Sequence, residues 1–71
     1  MFVYHVTYDI KYEAPRDLGL FEKQADAKQA CQDDADTYHD GIVLRWESHI
    51  PCEIARVYSD EFYSVTIRPV R

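Results

Sequence analysis

The sequence has few of the residues that mark enzymes and disulfide-stabilised domains. Its 71 residues include only two cysteines, Cys31 and Cys52, and only two glycines. Two cysteines are too few for the disulfide framework of a small secreted domain, and a chain with two glycines has no glycine-rich phosphate loop. A nucleophile elbow is also missing. We therefore predict a protein that is not an enzyme and uses no cofactor.

Long apolar runs are missing as well. No segment reaches the roughly 20 apolar residues that span a bilayer. Residues 1–5 contain no charged region followed by an apolar run, so no signal peptide is expected. These absences predict a cytoplasmic protein that does not bind membranes and keeps its thiols reduced. A disulfide between Cys31 and Cys52 stays open as an alternative.

Basic residues are outnumbered by acidic ones. Thirteen Asp and Glu residues against eight Lys and Arg residues give a formal net charge of −5. An acidic surface repels the phosphates of nucleic acids and anionic lipids, so direct nucleic-acid binding is not expected. A partner protein with a basic surface is favoured instead. The simpler interpretation is that the charge keeps a small protein soluble.

The residues that are present predict one α+β domain over residues 1–71. Hydrophobic residues make up 46% of the chain, which is enough for one compact core. Apolar and polar residues alternate at positions 2–13 and 42–48, which predicts strands. The short apolar run at 18–21 and the segments 52–58 and 62–68 are predicted as further strands, and residues 23–38 have a helical pattern. The expected architecture is an antiparallel sheet of four to five strands with one helix packed on one face, in the order ββαβββ.

Small side chains form the face of the predicted helix that meets the sheet. This face comprises Ala27, Ala30, Cys31, Ala35 and Tyr38, which recur at spacings of three and four residues. Asp34 lies at the edge of the stripe and is expected to be exposed or paired. The expected core face of the first strand comprises Phe2, Tyr4, Val6, Tyr8, Ile10 and Tyr12.

The opposite side of the predicted helix is acidic. Within a sector of about 80° at 100° per residue lie Glu22, Asp26, Asp33, Asp36 and Asp40. From Asp26 to Asp40 the row would be about 20 Å long. It could imitate nucleic-acid phosphates or bind a groove rich in Arg and Lys. The alternative is the ordinary solvated face of an amphipathic helix. Like charges four residues apart cost stability, which favours a role in binding.

The segment Asp36–Glu47 partly matches the calcium-binding loop of an EF-hand. Tyr38 stands where that loop needs an oxygen ligand, and Leu44 stands at a position that is usually polar. For transition metals, His49 and Cys52 are the only close ligand pair, whereas a structural zinc ion needs four ligands. We predict no metal site and keep a calcium sensor only as a third hypothesis.

Four aromatic side chains cannot all be buried in so small a protein; they are Tyr12, Tyr58, Phe62 and Tyr63. Phe62 and Tyr63 are neighbours in a predicted strand and point to opposite faces, so one of them is expected to be exposed. Phe62 is the predicted aromatic anchor for a partner protein. The alternatives are a minor core beneath a loop and a homodimer interface.

The outline of the chain resembles small phage and actinobacterial proteins. The residues that carry the resemblance are the Tyr-rich first strand, Leu18-Gly19-Leu20-Phe21 before an Ala-rich helix, Trp46 in a later strand, and the closing Tyr63-Ser64-Val65-Thr66-Ile67. The resemblance implies a small phage-encoded accessory protein that binds and blocks one host protein. Anti-CRISPR and anti-restriction inhibitors have a similar style, since many are small, acidic and not enzymes.

These observations lead to one functional hypothesis and one alternative. The hypothesis is an acidic interaction module, located in the host cytoplasm if phage-encoded, that inhibits a host nucleic-acid-handling or defence protein. Its partner-binding residues would be Glu22, Asp26, Asp33, Asp36, Asp40 and Phe62. The alternative is a homo-oligomeric structural or assembly protein without an inhibitory role.

Overall fold

The computed structural model describes residues 1–70, which form a five-stranded antiparallel sheet and one helix. The elements are β1 (Phe2–Ile10), β2 (Arg16–Phe21), α1 (Gln24–Tyr38), β3 (Trp46–His49), β4 (Cys52–Tyr58) and β5 (Glu61–Pro69). The strand order in the sheet is β2-β1-β5-β4-β3. The predicted α+β architecture, in the order ββαβββ, is confirmed. β4 has the predicted bounds, and β5 is one residue longer at each end.

The helix lies on one face of the sheet through small side chains. Ala27, Cys31 and Ala35 are fully buried, as their spacing predicted, and Ala30 is half-buried. Because these side chains are small, the helix backbone can approach the sheet closely and still leave a dense interior. The other buried core residues are Val6, Tyr8, Leu44, Ala55, Tyr63 and Val65.

The central strands β1 and β5 determine which side chains face the helix. Val6 lies opposite Val65, and Tyr8 lies opposite Tyr63, so these four core residues share one face. The residues between them in sequence point to the other face, because side chains alternate along a strand. The helix leaves this second face uncovered.

The first strand is shorter than the sequence predicted. β1 ends at Ile10, and Tyr12, which was expected on the core face, is 93% exposed with φ 69°. The chain turns here because the Lys11 N–H donates to the Asp60 carbonyl at 3.1 Å and the Glu13 N–H donates to the Ile10 carbonyl at 3.1 Å. The alternating pattern thus continues past the point at which the chain leaves the sheet.

The last turn of the helix also differs from the prediction. Tyr38 was expected on the face that meets the sheet, but it is 65% exposed. Its ring contacts the guanidinium of Arg16, with 5.2 Å between Cζ and the ring centroid. The phenol therefore covers the charged end of β2 instead of entering the core.

Only the second half of the predicted strand at residues 42–48 forms, as β3. The backbone of residues 42–44 is held by the side chain of Gln32 instead of by a neighbouring strand. Its amide donates to the Ile42 carbonyl at 2.8 Å, and its oxygen accepts from the Leu44 N–H at 3.2 Å. Leu44 is buried, whereas Ile42, expected on the same face, is 37% exposed.

Candidate protein-interaction site

Three of the five predicted carboxylates lie on the outer side of α1. Asp26, Asp33 and Asp36 are exposed and point away from the buried face of the helix. We call these three residues the acidic face. At 1.5 Å per residue they extend over about 15 Å of the helix axis. The helix therefore presents a rigid row of negative charge to the solvent.

The other two predicted carboxylates lie beyond the ends of the helix. Glu22 lies in the bend between β2 and α1. Asp40 follows the C-cap residue His39 and has φ 54°. Both are exposed. Helical spacing predicted a continuous row of five carboxylates. Because α1 begins after Glu22 and ends before Asp40, the helix carries only three of them, with one further carboxylate beyond each end.

Neutral side chains hold two of the acidic-face carboxylates. The Gln29 amide donates to Oδ1 of Asp33 at 2.9 Å, and the Gln32 amide donates to Oδ1 of Asp36 at 3.0 Å. Each pair is four residues apart on the helix, where side chains are neighbours. These bonds restrict the carboxylates without neutralising their charge.

Basic side chains pair with carboxylates elsewhere in the protein. The pairs are Arg16 with Asp34 at 2.7 Å, Lys28 with Glu53 at 3.1 Å and Arg56 with Glu47 at 3.3 Å. Within residues 1–70, no carboxylate of the acidic face forms an ion pair. The negative charge of the acidic face is therefore uncompensated by the part of the chain that the structure describes.

The structure gives Asp34 a different role from its neighbours in sequence. Its Oδ2 accepts the hydroxyl of Tyr63 at 2.5 Å and the guanidinium of Arg16 at 2.7 Å. Tyr63 is fully buried, and this burial, together with the bond to Asp34, raises its pKa. The network joins β2, α1 and β5. The position of Asp34 at the edge of the core face predicted that it would be either exposed or paired, and it gave no signal for its partners.

An aromatic cluster fills the space between the sheet and the C-terminal end of α1. The ring centroid of Tyr8 lies 4.6 Å from that of Tyr63 and 5.3 Å from that of His39. Within residues 1–70, the Tyr8 hydroxyl and Nε2 of His39 are buried without a hydrogen-bond partner. Burial, followed by the nearby charge of Glu61, raises the pKa of Tyr8 to about 12. The rings pack as core, and sequence reasoning missed the contribution of His39.

Phe62 is not brought together with the acidic face. It neighbours the core residue Tyr63, so it points to the side of the sheet that the helix leaves uncovered. There it is half-buried and lines an open cavity of about 320 Å³ with Asp9, Lys11 and Asp60. The predicted acidic and aromatic contacts therefore lie on opposite sides of the sheet.

The described residues offer no cluster of metal ligands. Across residues 1–70, no group of three or more His, Cys, Asp or Glu side chains could hold an ion.

Cys31 and Cys52 are both free thiols. Cys31 is buried on α1, and burial raises its pKa to about 12, whereas Cys52 contacts Thr66 at 3.2 Å. Over residues 1–70, no helix is both long and apolar enough to cross a membrane.

Comparisons with protein-family models, with curated proteins and with solved structures found no match to this chain. The resemblance to small phage and actinobacterial proteins stays a prediction.

Proposed function

We propose that this protein is an acidic interaction module that inhibits a nucleic-acid-handling protein by occupying its basic surface. The observation that carries the proposal is the uncompensated charge of the acidic face. Exposed carboxylates on a folded helix are already positioned before binding. This protein therefore loses little conformational entropy when a partner binds them.

The geometry suits a basic groove better than a single cation. Along the helix axis, Asp26 and Asp33 are about 10 Å apart, and Asp33 and Asp36 about 5 Å apart. Each carboxylate can accept a bidentate bond from an arginine of the partner. A groove that normally binds a phosphate backbone carries several such arginines and lysines. The protein would compete with nucleic acid for that groove without touching nucleic acid itself.

The cellular setting of the proposal comes from the resemblance of the sequence. If the chain is phage-encoded, the target is a host defence or nucleic-acid-handling factor. The inhibitor needs only stoichiometric binding for this role, so no catalytic group is required.

The test is a pair of charge-matched variants in an affinity capture from host lysate. The first variant carries Asp33→Asn and Asp36→Asn, which remove two charges from the acidic face and keep an oxygen for each glutamine. The control carries Glu13→Gln and Asp60→Asn, which remove two charges from exposed turns. The captured protein is then purified, and its affinity for each form is measured at several salt concentrations.

Support would be a nucleic-acid-binding protein that the wild type and the control capture and the acidic-face variant loses. Its binding should weaken steeply with salt, and the wild type should displace it from nucleic acid. A partner that binds both variants equally, or one that does not bind nucleic acid, would contradict the proposal.

A further inference from the structure

Five exposed apolar side chains lie at the end of the sheet where β1 begins and β5 ends. They are Met1 (91% exposed), Phe2 (56%), Ile50 (91%), Ile67 (41%) and Val70 (41%). We call these five residues the apolar end. They come from three separate segments of the chain and none has a charged side chain, in a protein whose formal net charge is −5.

Backbone hydrogen bonds hold these segments side by side. The Val70 N–H donates to the Met1 carbonyl at 3.0 Å, which joins the start of β1 to the end of β5. The Ile67 N–H donates to the Pro51 carbonyl at 3.1 Å, which places the β3–β4 turn, with Ile50 in it, beside β5. The apolar end is therefore one patch and not a set of scattered side chains.

The helix does not reach this patch. In its first turn, the Gln24 amide donates to the carboxylate of Glu53, and Glu53 lies opposite Val65 in the sheet. Ile67 is two residues further along β5. Here the sheet and the β3–β4 turn enclose a cavity of about 130 Å³, whose lining includes Ile50, Val65 and Ile67. The core is thus open at this end.

We propose that two copies of this chain form a symmetric dimer by packing their apolar ends together. A symmetric contact pairs each surface with itself, which apolar side chains allow and the carboxylates of the acidic face do not. From the exposed fractions above, the patch offers apolar area on the order of 500 Å² per copy, so the contact would remove about 1,000 Å² in total, which is the smallest area expected of a biological interface. A domain of about 70 residues has a small core and gains stability from such burial.

The dimer is tested by sedimentation over a wide range of protein concentrations. Ile50→Asp is the main variant because this residue lies in an exposed turn, where substitution leaves the core intact. Phe2→Ser is a second variant at a separate segment. Val43→Asp is the matched control, since Val43 is 78% exposed outside the apolar end. Circular dichroism checks that each variant is folded.

We expect the wild type and Val43→Asp to sediment as dimers. Ile50→Asp should raise the dimer dissociation constant at least tenfold, because each dimer loses two buried anchors. A wild type that stays monomeric at every concentration would overturn the proposal, as would a dimer that tolerates both Ile50→Asp and Phe2→Ser, or one that Val43→Asp also dissociates.

Chemical shifts give a second measurement that does not depend on variants. On dilution of the wild type, shifts confined to Phe2, Ile50 and Ile67 support the dimer, and shifts confined to another surface refute it. The Asp33→Asn, Asp36→Asn form should dimerise like the wild type, so failure of the dimer and failure of the proposed inhibitory function are separate results.

Discussion

Replacing Tyr63 by phenylalanine removes the hydroxyl that joins β5 to the helix. This hydroxyl is fully buried and donates to the Asp34 carboxylate at 2.5 Å. A hydrogen bond to a charged group contributes roughly 1.5–3 kcal/mol. The loss should be near the lower value, about 1.5–2 kcal/mol, because Arg16 still binds the same carboxylate oxygen at 2.7 Å.

For a domain of this size, that loss lowers the Tm by about 10 °C. Urea and thermal unfolding, both followed by circular dichroism, measure the change. The matched control is Tyr38→Phe, which removes a hydroxyl from a ring that is 65% exposed and should change the stability by less than about 0.5 kcal/mol. If Tyr63→Phe lowers the free energy of unfolding no more than this control does, the network through Asp34 does not stabilise the fold and our account of the network is wrong.

Three further predictions concern the two cysteines, Tyr8 and Gln32. Cys52 should react with a thiol reagent in the folded protein, whereas Cys31, which is fully buried, should react only on unfolding; equal rates would contradict this. Stability should fall as the pH rises above about 10, because the pKa of Tyr8 is raised from 10.0 to about 12 in the fold and the unfolded chain releases this proton first. In urea titrations, Tyr8→Phe should make the stability fall less steeply above that pH. An unchanged dependence of stability on pH would contradict the role of Tyr8. Gln32→Leu should cost about 1–2 kcal/mol in the same unfolding assay and raise hydrogen exchange in residues 42–44, while Gln29→Leu, on the exposed side, should leave both unchanged.

The arrangement of strands and helix could be predicted because each element carries its own period. The strand patterns located β4, all of β1 and most of β5, and the small residues Ala27, Cys31 and Ala35 identified the buried helix face. These patterns are local, so they are visible in the sequence without knowledge of the tertiary contacts.

The errors occurred where a distant residue decides the local structure. Residues 42–45 alternate as a strand would, but Gln32 binds their backbone from the helix. Tyr12 continues the period of β1 after the turn has begun. The partners of Asp34 come from β2 and β5, which the sequence separates from it by 18 and 29 residues. No local pattern records such contacts, so this part of the fold needed the structure.

The acidic face could be located from the sequence, whereas its effect on stability follows only from the bounds of α1. Asp33 and Asp36 lie near the C-terminal end of the helix, where the macrodipole is negative, and the last turn has no basic residue. Carboxylates there oppose the dipole and repel one another, each effect being worth a few tenths of a kcal/mol.

Asp36→Asn should therefore stabilise the protein slightly, because asparagine has a similar helix propensity and keeps the oxygen that accepts from Gln32. Urea unfolding at low salt measures this gain, which should shrink as salt screens the charges. A charge that destabilises its own protein is expected at a surface where binding to a partner requires that charge. If Asp36→Asn instead destabilises the protein, the carboxylate has a structural role, and the cost in stability no longer supports the acidic face as a binding surface.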